Sequence, residues 1–170
     1  DSKSGANCRN IIIRGKGTIC GGGETLAKKI IEDERARIKS CTDDNPEPAA
    51  SCETSDTLPG RVRPRLINLS NCENVWISGI TLKNSPSWNV HMIYCNDIQT
   101  DHCTFESEGV GNGDGWDPDS STNCTLFGCT FRTGDDAVAI KSGKNPEGNI
   151  IARPSAHIRI FDCRSECGHG

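Results

Sequence analysis

The sequence predicts an all-β solenoid, a parallel β-helix. Three observations carry this reading: a repeat about one coil long, strand-like alternation within each copy, and Gly and Asn where the copies turn. Four segments superimpose without gaps: Cys72-Glu-Asn-Val-Trp-Ile-Ser-Gly-Ile80, Cys95-Asn-Asp-Ile-Gln-Thr-Asp-His-Cys103, Ser121-Thr-Asn-Cys-Thr-Leu-Phe-Gly-Cys129 and Ser155-Ala-His-Ile-Arg-Ile-Phe-Asp-Cys163. They start 23, 26 and 34 residues apart, and self-similarity at such spacings marks a repeat architecture. Within the copies, Val75 and Ile77, or Ile158 and Ile160, alternate with a period of two, as in a strand with one buried face. No helical period separates the strands, which favours a β-helix over a leucine-rich horseshoe or a propeller.

Asn7-Cys8-Arg9-Asn10-Ile11-Ile12-Ile13 reads as an earlier, weaker copy of the unit. Residues 24–60 break the pattern. Glu24 to Lys39 is charged, with Leu26, Ile30, Ile31 and Ile38 spaced for a short surface helix, and Cys41 to Pro59 is a polar loop in which Cys41 and Cys52 are candidates to pair. From Cys72 the repeats run on, and Gly143 to Pro154 lengthens the last one as a loop. Ile80, Cys103, Cys129 and Cys163 are expected to stack as a ladder in the core, where cysteine packs as a small hydrophobe. The whole of 1–170 reads as part of one β-helix domain, incomplete at both ends.

The chain has 170 residues, a formal net charge of −4 and eleven cysteines. A globular composition excludes disorder, and the acidic balance leaves no basic surface for nucleic acid. An anionic substrate needs a local cationic patch. No apolar run reaches the length of a membrane span, and Asp1 to Gly5 lacks the pattern of a signal peptide. The cysteine spacing fits no zinc pattern, and neither a metal nor a cofactor is expected.

A second column of strands aligns when counted back from the coil ends: Trp88-Asn-Val-His-Met-Ile-Tyr94, Asp114-Gly-Trp-Asp-Pro-Asp-Ser120 and Asp136-Ala-Val-Ala-Ile-Lys-Ser142. Alternation puts Val90, Trp116 and Val138, then Met92, Pro118 and Ile140, in the core. His91, Asp117, Asp119 and Lys141 are left on the outer face. Asp114 and Asp136 open neighbouring strands, about 4.8 Å apart in a sheet, with Asp135 beside them. Like charges this close resist simultaneous ionisation, so at least one carboxyl is expected to hold a proton near neutral pH. A donor acid beside a carboxylate base is what glycosidic cleavage requires. His169 lies as far into its repeat as Asp135 does into the preceding one, and is expected one coil above the carboxylates. Taken singly, Asn112-Gly113-Asp114 or Gly134-Asp135-Asp136 is ordinary turn chemistry.

Asn112-Gly113-Asp114, Gly134-Asp135-Asp136 and Gly168-His169-Gly170, in this order, resemble the Asn-Thr-Asp, Gly-Asp-Asp and Gly-His-Gly motifs of the polygalacturonases, glycoside hydrolase family 28. Arg63-Pro-Arg-Leu-Ile, Lys83-Asn-Ser-Pro-Ser-Trp-Asn-Val-His91 and Ala139-Ile-Lys-Ser-Gly143 are similar to that family as well. The resemblance implies a right-handed β-helix that hydrolyses α-1,4-linked galacturonate with inversion. Asp135 would be the general acid, Asp114 and Asp136 the activators of water, and His169 a supporting group. Asn112, His91, Lys141 and Asp117 are the expected substrate-binding residues. Gly113 departs from the usual Thr and Trp116 from a usual aliphatic, and the family's Arg-Ile-Lys motif is not in this sequence.

Asp-Pro-Asp-Ser-Ser and Ala-Ile-Lys-Ser-Gly look more like exo-acting or oligogalacturonide-trimming bacterial members. The family implies a pectin or galacturonan substrate, no nucleic-acid or membrane partner, a monomer at full length, and an extracellular or periplasmic site of action. Two other readings stand beside it: a calcium-dependent pectate lyase, which needs a positioned arginine base, and a non-catalytic polysaccharide-binding β-helix.

Overall fold

The computed structural model describes residues 5–44 and 63–170. Its strands are β1 (Cys8–Arg14), β2 (Thr18–Cys20), β3 (Ile67–Ser70), β4 (Cys72–Ser78), β5 (Thr81–Lys83), β6 (Val90–Ile93), β7 (Asn96–Asp101), β8 (Thr104–Glu106), β9 (Trp116–Asp119), β10 (Thr122–Phe127), β11 (Thr130–Arg132), β12 (Ala156–Phe161) and β13 (Arg164–Cys167). They stack into three sheets, ordered β1-β4-β7-β10-β12, β2-β5-β8-β11-β13 and β3-β6-β9. Every pairing is parallel between neighbouring coils. The architecture is the expected parallel β-helix.

The register matches the ungapped repeat residue for residue. Cys8 pairs with Cys72, Glu73 with Asn96, and Thr122 with both Asn96 and Ala156. Within the strands of the first sheet one residue takes a left-handed backbone at the same place in successive coils: Asn10, Asn74, Asp97, Asn123 and His157 have φ of 56–60°. Asn and Asp tolerate this conformation because their short polar side chains bond locally. Here they do so between coils, since the Asn74 amide donates to Asn10 Oδ1 at 2.7 Å.

Inside, layers of like residues repeat along the axis. Ile80, Cys103 and Cys129 are buried with Cys163 packed against them, and the Phe105 and Phe131 rings stack at 4.6 Å. Cys8, Cys20, Cys72, Cys95, Cys103, Cys124, Cys129, Cys163 and Cys167 are free. Those of the ladder pack as apolar groups and accept weak hydrogen bonds, as Cys129 Sγ does from the Cys103 N–H at 3.4 Å. Trp116 is fully buried and its indole N–H reaches Thr100 Oγ1 at 3.0 Å, the partner a buried indole requires. Ile140, expected in the core, is instead 54% exposed, because among the described residues no strand stacks on its far side.

The helix expected over Glu24 to Lys39 is present and longer: α1 spans Gly23–Asp44. The candidate Cys41–Cys52 pairing lies outside what the described residues cover. A second, short helix, α2 (Glu147–Ile151), sits within the 143–154 loop. No helix among the described residues is long and apolar enough to cross a membrane.

Candidate active site

The second strand column forms as counted. Val90 pairs with Trp116 and His91 with Asp117, and isolated bridges continue the register from Trp116 to Val138 and from Asp119 to Lys141. The Asn89 N–H donates to Asp114 O at 2.8 Å and the Gly115 N–H to Asp136 O at 2.9 Å. These bonds lock Asp114 and Asp136 onto adjacent coils. The corners carrying them are tight: a Cβ on Gly113 would stand 2.7 Å from Val110 O, and one on Gly134 would stand 2.3 Å from the same oxygen. Gly113, a departure from the usual Thr, is therefore the residue this corner accommodates.

Asp135 is half-buried at the centre of the cluster. Asn112 Nδ2 donates to its Oδ2 at 3.2 Å, and His169 Nδ1 lies 3.4 Å from its Oδ1. The His169 backbone N–H also donates to Asp135 O at 3.1 Å, which places the histidine on the next coil as the repeat predicts. Asp114 is 5% exposed. Burial raises its carboxyl above the usual range and the neighbouring Asp135 adds to this, while Lys141, with Nζ at 3.4 Å, works against it.

Asp117, expected on the open outer face, has a wholly buried side chain, with Lys141 Nζ 3.3 Å from Oδ1. Alternation tells which face a side chain points from, whereas neighbouring long side chains determine whether that face stays open. Burial pushes Asp117 up to about 8, Asp114 reinforces the rise, and Lys141 opposes it. The carboxyl raised furthest is therefore Asp117, outside the cluster of Asp114, Asp135 and Asp136 for which the held proton was expected, and desolvation outweighs like-charge crowding in raising it.

His91 is also largely buried. Its Nδ1 is 2.7 Å from Asn68 Oδ1 and its Nε2 3.7 Å from Asp119. Burial by itself would raise the Asp119 carboxyl. The nearby His91, the Gly143 N–H at 2.7 Å and the Ser120 hydroxyl outweigh it and hold Asp119 below the usual range.

Trp88, Arg65 and Arg63 join the residues expected at the site. The Arg65 guanidinium lies 4.2 Å and Lys141 Nζ 4.4 Å from the centre of the Trp88 ring, and Trp88 meets His91 edge-on at 4.9 Å. Arg63 reaches into the Asn112 corner. Arg65 precedes Trp88 by the same 23 residues that separate Ile67 from its partner Val90, so counting one coil back from Trp88 would have found it. The site thus has the local cationic groups an anionic substrate requires. Among the described residues no group of three or more His, Cys, Asp or Glu side chains is set to hold a metal ion.

Carboxylates of two adjacent coils thus converge beneath a histidine of the next in a stacked β-helix, and comparison with known proteins gives the family. The family model for "Glycosyl hydrolases family 28" matches residues 2–170, and the chain belongs to that family. A Vitis vinifera protein described as "Probable polygalacturonase" is 40% identical over 99 residues, 58% of this chain and 20% of its own length. Endopolygalacturonase A of Aspergillus niger is 33% identical over 93 residues, 52% of this chain and 25% of its own. The family 28 exopolygalacturonase of Yersinia enterocolitica superposes on the whole chain with a TM-score of 0.81 at 21% identity, a likeness of fold, and the chain covers 32% of it. The polygalacturonase of Erwinia carotovora matches 63% of this chain with a TM-score of 0.56 at 32% identity. The chain spans a fifth to a third of the length of these relatives.

Proposed function

We propose that the protein hydrolyses α-1,4-galacturonosidic bonds of pectin or polygalacturonate by an inverting, two-carboxylate mechanism. The observation that carries this reading is the placement of Asp135 between Asn112 and His169, with Asp114 and Asp136 on the adjacent strand column. Asp135, on the exposed side of the cluster, protonates the leaving glycosidic oxygen. Asp114 and Asp136 draw a proton from the water that attacks the anomeric carbon from the opposite face. His169 supports the acid. Lys141, held by Asp114, Asp117 and the Trp88 ring, faces the substrate with Arg65 as the cationic side of the groove. His91 and Asp117 act from beneath, orienting groove residues.

Exo action, or trimming of oligogalacturonides, is the finer reading, supported by the Asp-Pro-Asp-Ser-Ser and Ala-Ile-Lys-Ser-Gly segments. Action outside the cytoplasm fits a polymeric pectin substrate, and a monomer at full length is what the family resemblance implies.

The test uses the full-length polypeptide with polygalacturonate and EDTA, following reducing ends and ultraviolet absorbance together. Hydrolysis gives new reducing ends without absorbance, and Asp135→Asn lowers the rate by at least about 10³-fold. Proton NMR of the first product distinguishes inversion, which yields the β-anomer, from retention. Absorbance suppressed by EDTA would identify a lyase and sink the proposal. Accumulation of mono- or digalacturonate without a fall in viscosity separates exo from endo action.

A further inference from the structure

Arg63 is 5% exposed and lies outside the carboxylate cluster, yet it reaches into the corner that carries it. Its Nη1 donates to Pro86 O at 3.1 Å and to Gly111 O at 2.6 Å, and its Nη2 donates to Asn112 Oδ1 at 2.6 Å. One guanidinium thus ties together two successive corners of the solenoid: the turn between β5 and β6, and the turn between β8 and β9. Only the rigid, multi-donor fork of arginine satisfies three acceptors in this spread.

The contact with Asn112 has a chemical consequence. A side-chain amide has one acceptor end and one donor end. With Oδ1 taken by Arg63, Nδ2 is turned outward, and it donates to Asp135 Oδ2 at 3.2 Å. Without the arginine, the exposed amide is free to swing or to invert, and inversion would present an oxygen to the Asp135 carboxylate. Asn112 has a left-handed backbone (φ 55°) next to Gly113, which has no room for a Cβ, so the corner depends on outside partners for its shape.

We propose that Arg63 is a positioning residue for the reaction: through Asn112 it holds the Asp135 carboxyl at the angle from which it protonates the leaving oxygen. The proposal rests on Asp135 being the general acid. It assigns Arg63 no contact with substrate, so its loss is a loss of orientation, felt in turnover rather than in binding.

A double-mutant cycle in the full-length polypeptide tests it, with kcat and KM measured on polygalacturonate for Arg63→Ala, Asn112→Ala and the pair. Each single change is expected to lower kcat by about 10- to 100-fold while KM moves less than about threefold. Because both act along one path, the double mutant falls no further than the worse single, within about threefold. Arg63→Gln is run beside Arg63→Ala, since truncating a buried arginine risks unfolding the corner, and it too should lose turnover.

Multiplicative losses in the double mutant would overturn the proposal, as would a rise in KM alone. So would wild-type turnover in Asn112→Ala, whether or not the arginine variants fold. A wild-type enzyme that releases no reducing ends would overturn the underlying reading as well, an outcome distinct from normal turnover with an additive cycle.

Discussion

Asp117 and Asp101 are both buried carboxylates, and their partners send them in opposite directions. Asp117 has the Lys141 ammonium 3.3 Å from Oδ1 as its main polar neighbour, too little to offset desolvation, and burial lifts it to about 8. At Asp101 burial pulls upward too, but Gln99, His102, Ser78 and the Trp76 indole donate to it at 2.6–2.9 Å and bring it down to about 2. The linkage signs follow. Asp117 keeps its proton in the folded state while the unfolded chain has lost it above about pH 4, so it makes stability fall between roughly pH 4 and 8, by up to about 1.4 kcal/mol per pH unit. Asp117→Asn should therefore gain Tm relative to wild type as the pH is raised from 5 to 8, and a constant difference would refute this. Asp101 contributes above about pH 4 and loses its contribution as the pH falls toward 2. Asp101→Asn should cost roughly 1.5–3 kcal/mol at pH 7, measured by urea unfolding, with the gap closing in acid.

The 107–115 corner shows how an element disciplines its residues. Gly113 replaces a Thr expected from the family motif, but a Cβ there meets Val110 O at 2.7 Å and Ser107 Cβ at 3.1 Å. Gly113→Thr should thus destabilise the protein by about 1–3 kcal/mol and lower kcat, because Asp114 follows the corner as it moves. A Tm at or above wild type would show that the corner adapts. Helix α1 teaches a different lesson at this scale. Its start was legible, because Gly21-Gly22-Gly23 precedes a run of good helix formers. The apolar spacing ends at Ile38 and Asp43-Asp44 puts acids where the helix dipole disfavours them, yet the helix continues to Asp44, directly before Asn45-Pro46, the stop signal in the sequence.

Across the whole molecule each strand pairs only with those of adjacent coils, and long side chains such as Arg63 reach one coil further, so stability is close to a sum of coil and interface contributions and depends on where a coil lies in the stack. Phe105 has coils on both sides and stacks on Phe131, whereas among the described residues Ile19 lies on an edge strand and is 37% exposed. Phe105→Ala should cost about 3–5 kcal/mol and Ile19→Ala less than about 1 kcal/mol. Comparable shifts in denaturant midpoint would mean the stack unfolds by some route other than coil-to-coil coupling.

Fold, coil register and the assembly of Asp114, Asp135, Asp136 and His169 were all readable from the amino-acid sequence. A parallel stack repeats one hydrogen-bonding register and one side-chain period, so spacing along the chain converts directly into position in space. The same arithmetic placed Asp117 on the face outside the core. Only the tertiary structure buried it under Lys141, set Lys141 and Arg65 against Trp88, and brought Arg63 to Asn112, 49 residues away. Those outcomes depend on where long side chains fold between coils, and on the desolvation that results. Neither is encoded by periodicity, and both control the charge and orientation of the candidate catalytic groups.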